Sequence, residues 1–269
     1  MCYGPTMAWT RTYDEAEPQR VNRWLAQNGV CSRREAEGLI AQGLVTIDGE
    51  RVSDVGRKIE PGQTLTLADA ASARLDGAMT VILHKPTGVV SAQPEPGQVP
   101  AIRLLTRHTL VGDSPMIPGP DTRMAPVGRL DMDSRGLLIL SEDGVVAKAV
   151  IGPASNLDKE YRVAVIGSIT EAKLKRLRHG LALDGRQLKP AEVSLISDQR
   201  LRFVLREGRN RQIRRMCEMV DLKVVDLFRV RIGPLWLGTL PEGKWRVLSA
   251  KERTALISPD PAPSPTSRG

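Results

Sequence analysis

The stretch "GRLDMDSRGLLILSEDG", residues 128–144, sets Asp131 and Asp133 between Arg129 and Arg135 and runs straight into an apolar segment. "GLLIL" reads as a buried strand and Asp143-Gly144 as the turn behind it. A carboxylate at the mouth of such a strand has three readings. It is part of a solvated turn, part of a metal-binding phosphatase loop, or a lone carboxylate that acts on a substrate. The phosphatase reading needs a DxDx[ST] loop at the end of an apolar strand and a later acidic pair for magnesium. Here "APVGR" precedes the motif, Ser134 falls one position too early, and Arg129 and Arg135 would repel a divalent ion. A lone carboxylate must stay ionised when substrate strips away its water. Burial alone raises its pKa, and a nearby guanidinium offsets that.

Working outward, "MTVILHKPTGVVS" (79–91) gives a strand, a Pro-Thr-Gly turn and a second apolar run, with Lys85 beside the turn. Residues 93–125 are rich in proline and glycine and read as a long loop with a short helix at "AIRLLTRH". Downstream, "KEYRVAVIG", "RLRFVL", "KVVDLFRVRIG" and "KWRVLS" are strands, "LDGRQL" is a hairpin, and Thr170 opens an amphipathic helix. "EGRNRQIRRMCEMV" buries Ile213, Met216, Cys217 and Val220 at helical spacing, while arginines crowd it from Arg206 to Arg215. Strands outnumber helices and many turns are hairpins. The predicted fold is α+β with a mixed, largely antiparallel sheet.

Residues 20–68 form a separate small module of two helices and a hairpin. Val21, Trp24 and Leu25 mark the first helix and Gly29 its end. Ser32 with Glu35 makes a capping box for the second, and "LVTIDGERV" is a hairpin about Asp48-Gly49. Arg20, Arg23, Arg33 and Arg34 crowd the first helix and the start of the second. Arginines at a helix N-terminus oppose its dipole, so a face that keeps them fits phosphate contact.

Composition agrees. The 269-residue chain carries a formal charge of +8, which suits a polyanionic partner. Aromatics are only 3%, so Tyr161 after "LDKE" stands out as a base-stacking platform. Cys2, Cys31 and Cys217 form no metal or disulfide pattern and read as reduced thiols of a cytoplasmic protein. His84, His108 and His179 are scattered. No metal, no organic cofactor and no membrane span is expected. Residues 1–19 and 258–269 are expected as disordered tails and 69–78 as a linker.

Two resemblances sharpen this reading. "GVCSRREAEGLI" with "G.V.IDG" is similar to an S4 RNA-binding domain, over roughly residues 20–68. "HKPTG", "GRLDMDSRGLLILSEDG", "NLDKEYRV" and "EGRNRQIRRM", in this order, resemble the RsuA/RluB/RluE/RluF family of bacterial pseudouridine synthases. The resemblance implies a catalytic domain at 79–257 that isomerises a uridine already in RNA. It implies that Asp131 is the catalytic carboxylate, attacking carbon or removing a sugar proton. It further implies that Tyr161 stacks on the uracil and helps remove the C5 proton, and that Arg214 pairs with Asp131. Asp133 is given a structural role. Arg129 is placed to fill the gap left by a flipped base or to hold a phosphate; Lys85, Arg209 and Arg211 join the four arginines of the small module as RNA contacts. The short segments "NRQIRRMCE" and "NLDKEYRV" look closest to the RluF type, so the expected substrate is ribosomal RNA, 23S before 16S, free or in assembly intermediates, met by a monomer. The alternative is a noncatalytic RNA-binding or ribosome-assembly protein, which would not require Asp131, Tyr161 and Arg214 together.

Overall fold

The computed structural model describes residues 9–119, 122, 124–179 and 181–258. The chain divides into two compact units, one running through Met79 and including Ser141–Lys148, the other built from Thr80–Leu140 and the chain from Ala149 onward.

In the first unit, β1 (Thr10–Thr12), β2 (Val45–Ile47), β3 (Glu50–Arg51) and β4 (Thr64–Leu67) make a sheet in the order β1-β4-β2-β3. Helices α1 (Val21–Gln27) and α2 (Arg33–Ala41) belong to the same unit. Ser32 Oγ accepts from Glu35 N–H and the Glu35 carboxylate accepts from Ser32 N–H at 2.6 Å, so the capping box forms as the sequence spacing requires. Asp48 and Gly49 both take left-handed φ (50° and 86°), the geometry of a tight hairpin turn. Val21, Trp24, Leu25, Leu39 and Ile40 are almost fully buried in one core.

Two sequence expectations are corrected here. The N-terminal tail does not reach residue 19. β1 pairs with β4, and Tyr13, 1% exposed, packs edge-on to Trp24 at 5.4 Å. Burying an aromatic against a thin core outweighs the polar character of its neighbours. Only residues 1–8 of that stretch lie outside the described residues. The expected linker is also mostly helical, as α3 (Asp69–Asp76). Its alanines are the best helix formers, and Ala71 is fully buried. Of the expected C-terminal tail, residues 259–269 lie outside the described residues.

The second unit is built on a nine-stranded sheet. Its main path uses β5 (Thr80–Lys85), β6 (Arg135–Ser141), β7 (Lys159–Ile166), β8 (Glu192–Ser197), β9 (Arg200–Leu205), β10 (Lys223–Ile232) and β11 (Trp245–Val247). Their order is β8-β9-β7-β10-β6-β5-β11. β7 is antiparallel to β9 and β10, β8 to β9, and β11 to β5, whereas β6 runs parallel to β10. Helix α4 (Gly144–Ile151) belongs to the first unit through Lys148, and α5 (Glu171–Arg178), α6 (Gln212–Glu218) and α7 (Ala250–Ile257) complete the chain order of the second. Thr170 caps α5 through Lys173 N–H. Leu137–Leu140 are fully buried, which places the opening motif at the entrance to the central strand. Part of the long loop is ordered by a single indole. Trp245 donates to Thr106 O at 2.8 Å, and its carbonyl accepts from Val111 N–H. The short helix expected there is two 3-10 turns, Ala101–Leu104 and Arg107–Thr109.

Candidate active site

The loop before β6 is held from below. Lys85 ends β5 with its ammonium fully buried, donating to Pro86 O at 2.7 Å and Val89 O at 2.6 Å. That closes the Pro-Thr-Gly turn, whose Gly88 N–H donates to Met132 O at 2.8 Å. Ser91 clamps the neighbouring residue in both directions: its hydroxyl donates to Leu130 O at 2.7 Å and accepts from Leu130 N–H at 2.9 Å. Between these two anchors lies Asp131, half-buried, with its own carbonyl accepting from Ser134 N–H. Lys85 is therefore not an RNA contact. It faces inward because the turn's carbonyls need a donor that the backbone cannot supply. Burial pushes its pKa down to about 8, against the pull of Asp131 and Asp133.

The guanidinium beside Asp131 is not the one the family pattern implied. Arg211 Nη1 lies 3.6 Å from Asp131 Oδ2, and the same guanidinium donates to both oxygens of Asp133 at 3.1–3.2 Å. Arg214 instead holds the loop's framework. Its Nη2 donates to Asp133 O at 2.8 Å, its Nη1 to Val224 O at 3.3 Å, and its Nε lies 3.3 Å from Asp133 Oδ2, off the hydrogen-bonding angle. The difference has a geometric cause. Arg211 precedes α6 with φ +48°, an uncommon backbone for a side chain with a Cβ, and this turns its guanidinium toward the loop. Arg214 is buried in the helix and reaches the backbone behind. Burial pulls the Asp133 carboxyl upward, but the hydrogen bond from Arg211 and the charges of Arg214 and Arg211 overcome it and hold it below the usual range. With side chains 43% and 35% exposed, the Arg211–Asp131 pair contributes about 1 kcal/mol at most to stability.

Asp131 opens into a cleft of about 610 Å³, within the range that holds a nucleobase with its sugar. Arg129, Asp131, Lys159, Tyr161, Arg209, Arg211 and Arg229 all line it. Tyr161 is 9% exposed, on the strand face shared with Lys159. Arg129 is exposed and its side chain makes no hydrogen bond or ion pair among the described residues. Arg209 is partly committed, donating to Leu183 O and Gln187 O. The sequence-predicted residues Asp131, Tyr161, Arg129, Arg209 and Arg211 thus meet in one cleft. Arg214 stands behind it and Lys85 beneath the loop. Arg20, Arg23, Arg33 and Arg34 lie exposed on the first unit, and their side chains make no hydrogen bond or ion pair among the described residues. Two wall residues escaped the sequence reading, Lys159 and Arg229. The available signal was phase: Arg229 shares the inward face of β10 with Leu227, where an apolar side chain is the usual choice. Among the described residues no three His, Cys, Asp or Glu side chains cluster as metal ligands do.

Comparison with known proteins places this arrangement. Residues 79–219 match the family model "RNA pseudouridylate synthase", and residues 19–65 match "S4 domain". An uncharacterized RNA pseudouridine synthase of Aquifex aeolicus is 34% identical, covering 88% of this chain and 93% of its own. The dual-specificity RNA pseudouridine synthase RluF of Escherichia coli K12 is 32% identical over 88% of this chain and 78% of its own. The ribosomal large subunit pseudouridine synthase B of Yersinia pestis is 34% identical, over 88% and 75%. A crystal structure of a pseudouridylate synthase superposes with TM-score 0.60 at 25% identity, covering 88% of this chain and 99% of that one. The chain is a member of the RNA pseudouridine synthase family, an enzyme that isomerises uridine in RNA, and it carries an S4 domain at its N-terminal end.

Proposed function

We propose that the substrate is a uridine of ribosomal RNA, in 23S rather than 16S, free or in an assembly intermediate, met by a monomer in the cytoplasm. The single observation that carries the assignment of roles is the convergence of Asp131, Tyr161 and Arg129 on one cleft. Asp131 acts at the sugar while the N1–C1′ bond breaks. Tyr161 stacks on the uracil, an interaction of about 1–3 kcal/mol. Arg129, free at the rim, fills the stack vacated by the flipped base or holds a flanking phosphate. Arg211 sets a positive charge beside Asp131, and Arg214 fixes the loop through Asp133. Arg20, Arg23, Arg33 and Arg34 of the S4 domain, with Arg209, take RNA phosphates.

One relative is named for the large ribosomal subunit, which supports this choice of RNA. Pseudouridine maps of rRNA from a deletion strain test it. One position should revert to uridine, restored by wild type and not by Asp131→Asn. Unchanged maps in the deletion strain would favour a binding-only role on rRNA. Full activity of Arg129→Ala on folded RNA would remove Arg129 from the flipping step.

A further inference from the structure

We infer that Lys159 and Arg229 form a cationic wall that stabilises the negative charge collecting on the uracil ring when it separates from ribose. This rests on the roles proposed above for Asp131 and Tyr161.

Both residues line the cleft that contains Asp131. Tyr161 on β7 stands directly opposite Arg229 on β10, and Lys159 is two residues from Tyr161 on the same face. Directly opposed side chains on one sheet face are near neighbours, so a base stacked on Tyr161 lies against both cations.

Neither cation forms an ion pair among the described residues. There, Arg229, 2% exposed, bonds only to main-chain oxygens, Nε to Leu137 O at 2.8 Å and Nη1 to Arg129 O at 3.3 Å. Its Nη2 has no hydrogen-bond partner among the described residues. Among them Lys159 donates only to Leu157 O, at 3.5 Å. The carboxylates on either side of Lys159, Asp158 and Glu160, are both engaged by Arg231. By contrast Arg209, Arg211 and Arg214 each meet a carboxylate. Buried charges are ordinarily paired, and an unpaired one is costly to the fold. Burial, and then the charge of Arg229, lowers the pKa of Lys159 against the pull of Asp158. Two like charges held together in a partly buried wall make sense if the partner arrives during reaction.

The reaction supplies that partner. When the N1–C1′ bond breaks, its electron pair remains with the ring, spread over N1, O2 and O4. Formation of the C5–C1′ bond, loss of the C5 proton and gain of a proton at N1 return a neutral isomer. Half-exposed Lys159 reaches the ring, and Arg229, one layer deeper, acts through the low-dielectric wall.

Single-turnover rates with the full-length protein and an rRNA transcript test this, comparing uridine with 5-fluorouridine, whose ring accepts the electron pair more readily. Loss of the N-linked nucleoside is read by chromatographic separation of the digested RNA with mass spectrometry, since the C-linked product has the same mass. Lys159→Met and Arg229→Met should each slow the uridine reaction by about 100-fold. On 5-fluorouridine the loss should shrink to under about tenfold, with RNA affinity little changed. Arg229→Lys, which keeps the charge, should be faster than Arg229→Met, and Lys159→Met covers the case in which Arg229→Met does not fold. Equal losses on both RNAs would overturn the inference, as would a loss confined to affinity, which would assign the cations to a phosphate. An inactive wild type would instead overturn the proposal that free ribosomal RNA is the substrate.

Discussion

Gly136 is where one methyl group should cost the most. It sits in β6 with φ +114°, paired across the parallel ladder with Arg229. A Cβ there would lie 2.2 Å from Arg229 O, 2.7 Å from Arg229 N and 2.9 Å from the Phe228 ring. Two of those atoms are backbone and cannot swing aside. The left-handed conformation alone costs an L-residue about 1–3 kcal/mol. Moving β10 away from β6 then forfeits about two ladder hydrogen bonds at roughly 1 kcal/mol each. The sum for Gly136→Ala is about 3–5 kcal/mol, or about 10 °C in the Tm of a domain this size. Gly185→Ala is the control: φ is also positive, at +71°, but nothing lies within 4 Å, so it should carry only the backbone penalty. Calorimetry of both variants separates overlap from strain. If Gly136→Ala melted within about 3 °C of Gly185→Ala, the close approach of the two central strands would be wrong.

Further outcomes follow from other contacts. Arg246 and Ser249 bring the pKa of Glu252 from its ordinary 4.5 down to about 2. A depressed carboxylate contributes stability above its unfolded pKa and loses it as pH falls through the folded one. Glu252→Gln should therefore cost about 2–3 kcal/mol at pH 7, a difference that fades between about pH 4.5 and 2 in urea melts. Lys85→Met should destabilise by about 2–3 kcal/mol, because two buried carbonyls lose their donor, while filter binding shows RNA affinity within about twofold. Arg33→Ala and Arg34→Ala should each reduce the salt slope of RNA binding by about 1, without changing the rate at saturating RNA.

How much of the molecule was legible beforehand varies with the range of the force involved. The capping box of α2 and the Asp48-Gly49 hairpin depend on residues a few positions apart, and both form where spacing placed them. The apolar run 137–140 is the central strand for the same reason. In sequence the helix over residues 69–76 reads as a linker because its composition is small and polar. What makes it helical is alanine propensity together with the burial of Ala71, and burial has no local signature. Tyr13 was lost in an apparent tail because its partner Trp24 lies beyond a stretch of polar residues.

Around Asp131 the chain's own order of residues determined which motifs exist and which chemistry they can support: a carboxylate, a tyrosine and a supply of guanidinium groups on a basic protein. Only the packed structure decided which guanidinium faces which carboxylate. Arg211 and Arg214 are three residues apart on one motif, and sequence cannot rank them. The left-handed turn at Arg211 sends one to Asp131 and Asp133, while burial in α6 commits the other to the loop's backbone. The same holds for Lys85 and Arg229, whose charges look like surface charges until the strands bury them. Ion pairing and desolvation act across space between segments far apart in the chain, and their outcome exists only once those segments have met.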